Sequence, residues 1–105
     1  MVKIIAEIGI NHDGDYNKAL ELIDSCFESG VWGIKFQYRN LNNSYHNFSN
    51  EIGDQSLKYE INRNYISPVD IIKLTSYAKD KKLKVGISFF SPTDILDFGE
   101  NIHDF

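Results

Sequence analysis

The stretch AEIGINHDGD, residues 6–15, puts Glu7 inside an otherwise apolar run, and IKFQY, residues 34–38, does the same with Lys35 and Gln37. A glutamate in such a place can take a proton or orient a water. A lysine can hold a phosphate or a carboxylate as a point charge. Neither charge is at home among apolar neighbours, because an unpaired buried charge costs roughly several kcal/mol. Glu7 and Lys35 are therefore expected to be paired with each other, with a ligand, or with partners from further strands. A purely structural salt bridge satisfies the same requirement and stays open as the plainer alternative. Asn11-His12-Asp13-Gly14 follows the first run as a polar turn. His12 has three readings: metal ligand, base, or a hydrogen-bonding residue that locks the loop. No second ligand stands at a recognisable metal spacing. His46 and His103 read as solvated loop residues. There is no glycine-rich phosphate loop and no nucleophile elbow.

Positioning these side chains takes strands. KIIAEIGI, residues 3–10, is β-rich and nearly continuous in apolar character, as a strand covered on both faces would be. VWGIKFQY, 31–38, and KVGISFF, 84–90, read as the second and third strands. Between them, Asp15 caps a predicted helix over about 16–29. Ala19, Leu20, Leu22, Ile23, Cys26 and Phe27 share one of its faces, and Gly30 ends it. Ser67-Pro68-Val69-Asp70 starts another helix running to about Lys81. Ser91-Pro92-Thr93-Asp94 starts a short third helix through about Phe98. Residues 39–62 read as a long polar loop with a short helical turn near 54–60, functional or mobile as long loops usually are. His103-Asp104-Phe105 could open a fourth strand.

The order βα, βα, βα predicts parallel strands joined by right-handed crossovers. Part of a (β/α)₈ barrel and an open doubly wound sheet both fit. Side chains alternate along a strand. Ile4, Ala6, Ile8 and Ile10 are assigned to the helix side, with Ile34, Phe36 and Tyr38. Ile5, Glu7 and Gly9 face the other way, with Gly33, Lys35 and Gln37. Both charges then lie in the C-terminal halves of parallel strands, the end where α/β folds bind ligands.

The 105 residues suffice for one small domain, and 42% hydrophobic with 25% charged residues is an ordinary globular balance. The net charge of −4, with no basic stripe, argues against a nucleic-acid binder. Cys26 is the single cysteine, which removes disulfide frameworks and thiolate metal sites, and its neighbours suggest a buried, inert thiol. No charged-then-apolar leader and no membrane-length apolar run is visible, so a cytoplasmic location is expected.

AEIGINHDGD, then ALELIDSCFESGVWGIKFQ, then VGISFF resemble the N-terminal third of the N-acetylneuraminate (sialic acid) synthase family. Its pattern runs Ala/Cys-Glu-Ile-Gly-x-Asn-His-x-Gly, a helix, Gly-Ala-x-x-x-Lys-x-Gln, and a later Ser-Thr-Pro-Phe. The first motif with Lys-x-Gln at this distance is specific; either alone would be weak. The resemblance implies a (β/α)₈ barrel followed by a small antifreeze-like domain, with residues 1–105 as the first three βα units. It implies condensation of phosphoenolpyruvate with an N-acetylated hexosamine or related amino sugar, with release of phosphate and a divalent metal (Mn²⁺ or Mg²⁺). By motif, Glu7 matches a glutamate beside metal, water and sugar aldehyde, Lys35 a lysine on phosphoenolpyruvate, and Gln37 a glutamine near the sugar. Asn11 and His12 match the loop that shapes the mouth. Phe90-Ser91-Pro92-Thr93 departs from Ser-Thr-Pro-Phe. Ser91 aligns, but the phosphate-contacting threonine falls on Pro92 unless the loop shifts to bring in Thr93, and proline offers neither hydroxyl nor N–H. Trp32 replaces a small residue and is read as helix-side packing.

Such a barrel takes about 250 residues. The family's metal ligands are therefore expected outside this chain, a homodimer is implied for the full-length protein, and the 105 residues alone are expected to be inactive. The alternative is a non-catalytic partial barrel that binds a sugar, a phosphate or a protein partner.

Overall fold

The computed structural model describes residues 2–40, 55–98 and 104. Strand β1 (Ile5–Gly9), helix α1 (Tyr16–Glu28), strand β2 (Gly33–Tyr38), helix α2 (Gln55–Arg63), helix α3 (Pro68–Asp80), strand β3 (Lys84–Phe89) and a 3₁₀ helix (Pro92–Phe98) follow in order. The sheet order is β1-β2-β3 and both pairings are parallel. This is the repeating strand–helix arrangement of part of a (β/α)₈ barrel.

The helix starts are set by local chemistry. The Asp15 carboxylate accepts hydrogen bonds from the Asn17 and Lys18 N–H groups at 2.9 and 3.2 Å, satisfying donors that the first turn cannot. Gly30, at φ +77°, turns the chain out of α1. Ser67 Oγ accepts from Asp70 N–H at 3.3 Å, and Pro68 fills the first helical position, where no N–H is needed. At the other end of α3, Leu83 N–H reaches back to the Ala78 carbonyl at 3.1 Å, with Lys82 in the left-handed region at φ +68°.

One layer of core lies between sheet and helices. Ile34, Phe36 and Tyr38 of β2 and Val85 and Ile87 of β3 are buried against Ala19 and Ile23 of α1 and Ile71, Leu74 and Ala78 of α3. Each aliphatic side chain so buried stabilises the fold by about 1.5–3 kcal/mol relative to exposure. Tyr77 of α3 donates to Asp24 of α1 at 2.5 Å, tying the two helices together outside that core.

The structure departs from the sequence reading in four places. The 54–60 turn is a full helix over Gln55–Arg63. The segment after Ser91 is 3₁₀ rather than α. Ile4 and Ile10 are exposed rather than packed under the helices. For Ile10 the cause is that β1 ends at Gly9, whose left-handed φ of +55° turns the chain just after the register irregularity between Glu7 and Gly9. Ile4 lies before the first paired residue, where no helix covers it. Trp32 is half-buried, with the Lys3 ammonium 4.8 Å from its ring. The long-loop reading at 41–54, together with His46, His103 and Phe105, falls outside the described residues.

The turn after β1 is held by close approach. A Cβ on Gly14 would sit 2.1 Å from the Arg63 carbonyl oxygen, at a backbone φ of +76°. Gly14→Ala is therefore expected to destabilise the chain by about 2 kcal/mol or more, from left-handed strain plus the lost contact between this turn and the end of α2. Urea unfolding checks it; an unchanged midpoint would mean that the turn does not rest on Arg63.

Candidate functional site

The in-register sheet arranges its helix-free face in layers. Glu7, Lys35 and Gly86 are neighbours in one, and Gln37 and Ser88 in the next. The Lys35 ammonium lies 2.9 Å from Glu7 Oε1, with the side chains 33% and 46% exposed. The charges thus neutralise each other while staying reachable by solute. Gly86 leaves space beside Lys35, and Ser88 sets a hydroxyl beside Gln37. Just past Gly9, Ile10 lines a cavity of about 220 Å³ with Gln37, Tyr38, Arg39, Glu60, Asn64 and Phe90 among others. The cavity opens at the C-terminal ends of the strands, beyond the Glu7–Lys35 pair.

His12 is 2% exposed. Its Nδ1 accepts the Gly14 N–H at 2.9 Å, and the ring also bonds to the Gly9 backbone. With Nδ1 committed as an acceptor, the neutral imidazole is built into the turn. Burial pushes its pKa below the ordinary value of 6.5; Asp13 opposes that shift and Lys18 adds to it. Asp13 itself is held below the usual carboxylate range by its bond to Lys18. Asn11 is exposed, and its backbone N–H bonds to the Ile8 carbonyl at 2.9 Å.

Ser91 and Thr93 follow β3. Their hydroxyls are 2.8 Å apart, and Ser91 Oγ also accepts the Thr93 N–H at 3.3 Å. Asp94, fully buried, receives the Phe90 and Ser91 N–H groups at 3.1 Å each and so fixes this turn. Tyr38 fastens the end of β2 to the same region. Its hydroxyl donates to Asp97 at 2.6 Å, and its ring meets Phe98 edge-on at 4.8 Å. Burial and the Asp97 carboxylate drive its phenol pKa upward. Cys26 is half-buried, and desolvation raises its thiol pKa.

Glu7, Lys35 and Gln37 are therefore brought to one face, while Ser91 and Thr93 form a separate hydroxyl pair on the turn after β3. Sequence reasoning passed over Ser88, Arg39 and Phe90. Alternation carried on from Gly86 to Ser88 and Phe90, and from Gln37 to Arg39, would have found them. Glu60, Asn64 and Tyr65 left no comparable signal, because they follow masses of polar sequence without a period. Among the described residues no three His, Cys, Asp or Glu side chains converge on a point where a metal ion could be held. Among the same residues, no helix is long and apolar enough to cross a membrane.

No family model matches the chain. Among curated proteins, 36 residues are 56% identical to the spore coat polysaccharide biosynthesis protein SpsE of Bacillus subtilis, covering 34% of this chain and 10% of that protein. An uncharacterized protein of Methanocaldococcus jannaschii is 36% identical over 94 residues, 88% of this chain and 25% of that protein. Among solved structures, the N-acetylneuraminic acid (sialic acid) synthetase of Leptospira borgpetersenii superimposes with a TM-score of 0.72 at 25% identity. That match covers 92% of this chain and 32% of the synthetase. A spore coat polysaccharide biosynthesis protein E from Chromobacterium violaceum gives 0.72 at 25% identity, covering 89% and 29%. B. subtilis SpsE gives 0.58 at 30% identity, covering 82% and 23%. The chain is thus similar in sequence and structure to the N-terminal region of the sialic acid synthase and SpsE family. It spans about a quarter or less of the length of the curated relatives it matches.

His12 makes stability depend on pH. Its folded-state pKa lies below its unfolded value of 6.5, so the unfolded chain binds the extra proton first. The contribution is complete above that value and is lost as pH falls through the folded-state pKa. Urea midpoints measured from pH 8 down to about pH 5 are expected to fall more steeply for the wild type than for His12→Gln. The difference between the two curves isolates His12 from His46 and His103; parallel curves would contradict the burial of a neutral ring.

Proposed function

We propose that this chain supplies part of the active site of a sialic-acid-synthase-like enzyme, as the N-terminal portion of its barrel domain. The reaction joins phosphoenolpyruvate to the aldehyde carbon of an N-acetylated hexosamine or related amino sugar. A carbon–carbon bond forms, water adds to the phosphate-bearing carbon, and the bond to the phosphate oxygen breaks to release phosphate. The observation that carries this reading is the Glu7–Lys35 pair at 2.9 Å on the open face of adjacent parallel strands, with Gln37 two residues further toward the mouth. The similarity to sialic acid synthase and SpsE proteins supports it.

In this reading Lys35 meets the phosphate or carboxylate of phosphoenolpyruvate as a point charge. Glu7 holds the ammonium in place before the anion arrives, then orients the attacking water or the aldehyde. Gln37 faces the sugar, Ser91 and Thr93 offer hydroxyls at the third strand end, and Asn11 and His12 shape the rim. The divalent metal of the family would polarise the aldehyde, but the described residues lack a matching donor set. A cytoplasmic setting and a homodimer of the longer protein belong to the same proposal.

The half-exposure of both charges favours one second reading, a module that binds the anion without turnover. Phosphate release from the 105-residue chain with phosphoenolpyruvate, N-acetylmannosamine and manganese separates the two questions. No turnover is expected, because an open face leaves its charges screened by water and the electrostatic stabilisation weak. Turnover abolished by Glu7→Gln would show that the chain suffices.

Binding tests the reading itself. Phosphoenolpyruvate is expected to bind saturably, with Lys35→Met weakening it by about tenfold, as loss of a charge-assisted contact should. Glu7→Gln should tighten it, since the competing carboxylate is gone. Titration calorimetry checks both; equal affinity in the wild type and Lys35→Met would remove the assignment.

A further inference from the structure

Lysine is concentrated where α3 hands over to β3. Residues 79–84, KDKKLK, hold four of the chain's 11 basic side chains, although the whole chain carries −4. Two of the four have evident roles. Lys79 lies 3.9 Å from Asp104 Oδ1 and Lys81 3.4 Å from Asp24 Oδ1, and the carboxyl end of a helix favours cations. Lys82 and Lys84 have none: both are exposed, and among the described residues neither has a carboxylate within ion-pair distance. Lys82 also holds a position that suits glycine better. It is the second residue past α3, at φ +68°, and the matching residue past α1 is Gly30, at φ +77°. A side chain is crowded by its own backbone there, so a lysine weakens the helix end relative to glycine. Lys79, Lys82 and Lys84 line one cavity of about 320 Å³ with Leu83 and Asp104. Its wall belongs to the frame of the fold. Leu83 is 4% exposed, with its N–H on the Ala78 carbonyl, and Lys84 N–H bonds to the Trp32 carbonyl at 3.2 Å. The Asp104 carboxylate is already engaged, accepting the Val85 N–H at 2.9 Å. Three ammonium groups thus surround one committed carboxylate, an excess of positive charge that a bound anion relieves.

We propose that this cavity, at the end of the sheet opposite the mouth, binds a soluble phosphate dianion, free or as the head of a small phosphomonoester, with Lys82 and Lys84 as its principal contacts. Lysine serves phosphate as a compact point charge with three donors and needs no fixed fork geometry. Two charges on the ligand match the two unpaired ammonium groups, which favours phosphate over a single carboxylate. The volume falls within the roughly 300–1,000 Å³ of small-ligand pockets and exceeds a bare phosphate, leaving room for the organic part of an ester. Lys84 stands six residues before Phe90, so the cavity lies about 20 Å along the strand from the mouth that Phe90 lines. Lys35 is not among its lining residues, and the cavity is therefore independent of the Glu7–Lys35 site.

The test is a nitrogen-15 NMR titration of the 105-residue chain with inorganic phosphate and with glycerol 3-phosphate, at fixed ionic strength and about pH 8, where both are dianions. Each is expected to move the Lys82, Leu83 and Lys84 amide signals with millimolar affinity. Lys82→Gly is the decisive variant, since it removes the ammonium and relieves the left-handed backbone together. It should raise the urea midpoint while weakening phosphate by about tenfold, a pair of opposite movements that a structural lysine would not give. Lys84→Gln should weaken phosphate by a similar factor. Lys73→Gln, on α3 but off the cavity, should leave the affinity within about twofold, and so should Lys35→Met. Retained protection of the Ile34 and Phe36 amides identifies variants that remain folded, and if Lys84→Gln is not among them Lys82→Gly decides. Phosphate affinity unchanged in a folded Lys82→Gly would overturn the proposal, as would a lowered urea midpoint in that variant. So would the absence of any shift at residues 82–84 by about 50 mM phosphate, well above the expected affinity. An equal loss in Lys73→Gln would also overturn it, by marking diffuse attraction to surface charge. Shifts confined to the surroundings of Lys35 and lost in Lys35→Met would do the same, placing the anion at the Glu7–Lys35 pair. Phosphatidylcholine vesicles carrying phosphatidic acid are expected not to sediment the chain; sedimentation lost in Lys82→Gly would overturn the choice of a soluble ligand.

Discussion

Glu7 and Lys35 face each other because β1 and β2 run parallel with Ile5 opposite Gly33. That register is the constraint on which the rest depends. Slipped by one residue, β1 would turn Glu7 toward the apolar layer under α1 and would turn its helix-side apolar residues to the open face. The core opposes such a slip, since it would carry Ile8 of β1 out of the cluster it shares with Ala19 and Ile23 of α1. The site is therefore held by the hydrophobic face opposite to it. The ion pair itself contributes little to stability, because half-exposed pairs are worth about 0–1 kcal/mol. Its importance lies in keeping a cation and a carboxylate at a fixed separation where a solute can reach them.

The strand ends are secured separately, each by a different device. After β1 the left-handed Gly9 turns the chain, and the buried His12 ring closes the turn through Gly14 and Gly9. After β2, Tyr38 is fastened to Asp97 and Phe98. After β3, Asp94 gathers two backbone N–H groups. A fully buried carboxylate is tolerated at that position because hydrogen bonds replace the water it has lost. These three anchors tie each strand end to the rest of the fold by a contact of its own. Preorganisation of this kind is what a binding site needs if the ligand is not to spend its affinity on ordering loops.

Periodicity and capping chemistry carried most of the fold. Asp15, Ser67 and Pro68 marked helix starts that the structure keeps, and the alternation in IKFQY assigned every residue of β2 to its observed face. The register irregularity was not legible, since Glu7-Ile8-Gly9 is compatible with a regular strand and only the pairing partners reveal it. Helix α2 was read too short because polar and charged residues dominate its sequence and leave few apolar positions to mark its length. Within the site, Glu7, Lys35 and Gln37 were visible as polar residues in apolar strands. Phe90 and Asn64 were not, because an aromatic at a strand end and an asparagine after a helix are ordinary in sequence. Only the cavity between them gives them meaning.

The most direct test of this account is a double-mutant cycle on urea unfolding with Glu7→Gln, Lys35→Met and the two combined, run with and without phosphoenolpyruvate. The account predicts a coupling below about 1 kcal/mol without ligand, as for exposed pairs, and a ligand-induced stabilisation that requires Lys35 but not Glu7. A coupling of roughly 3 kcal/mol or more, unaffected by phosphoenolpyruvate, would mark the pair as a buried structural bridge and contradict the central claim.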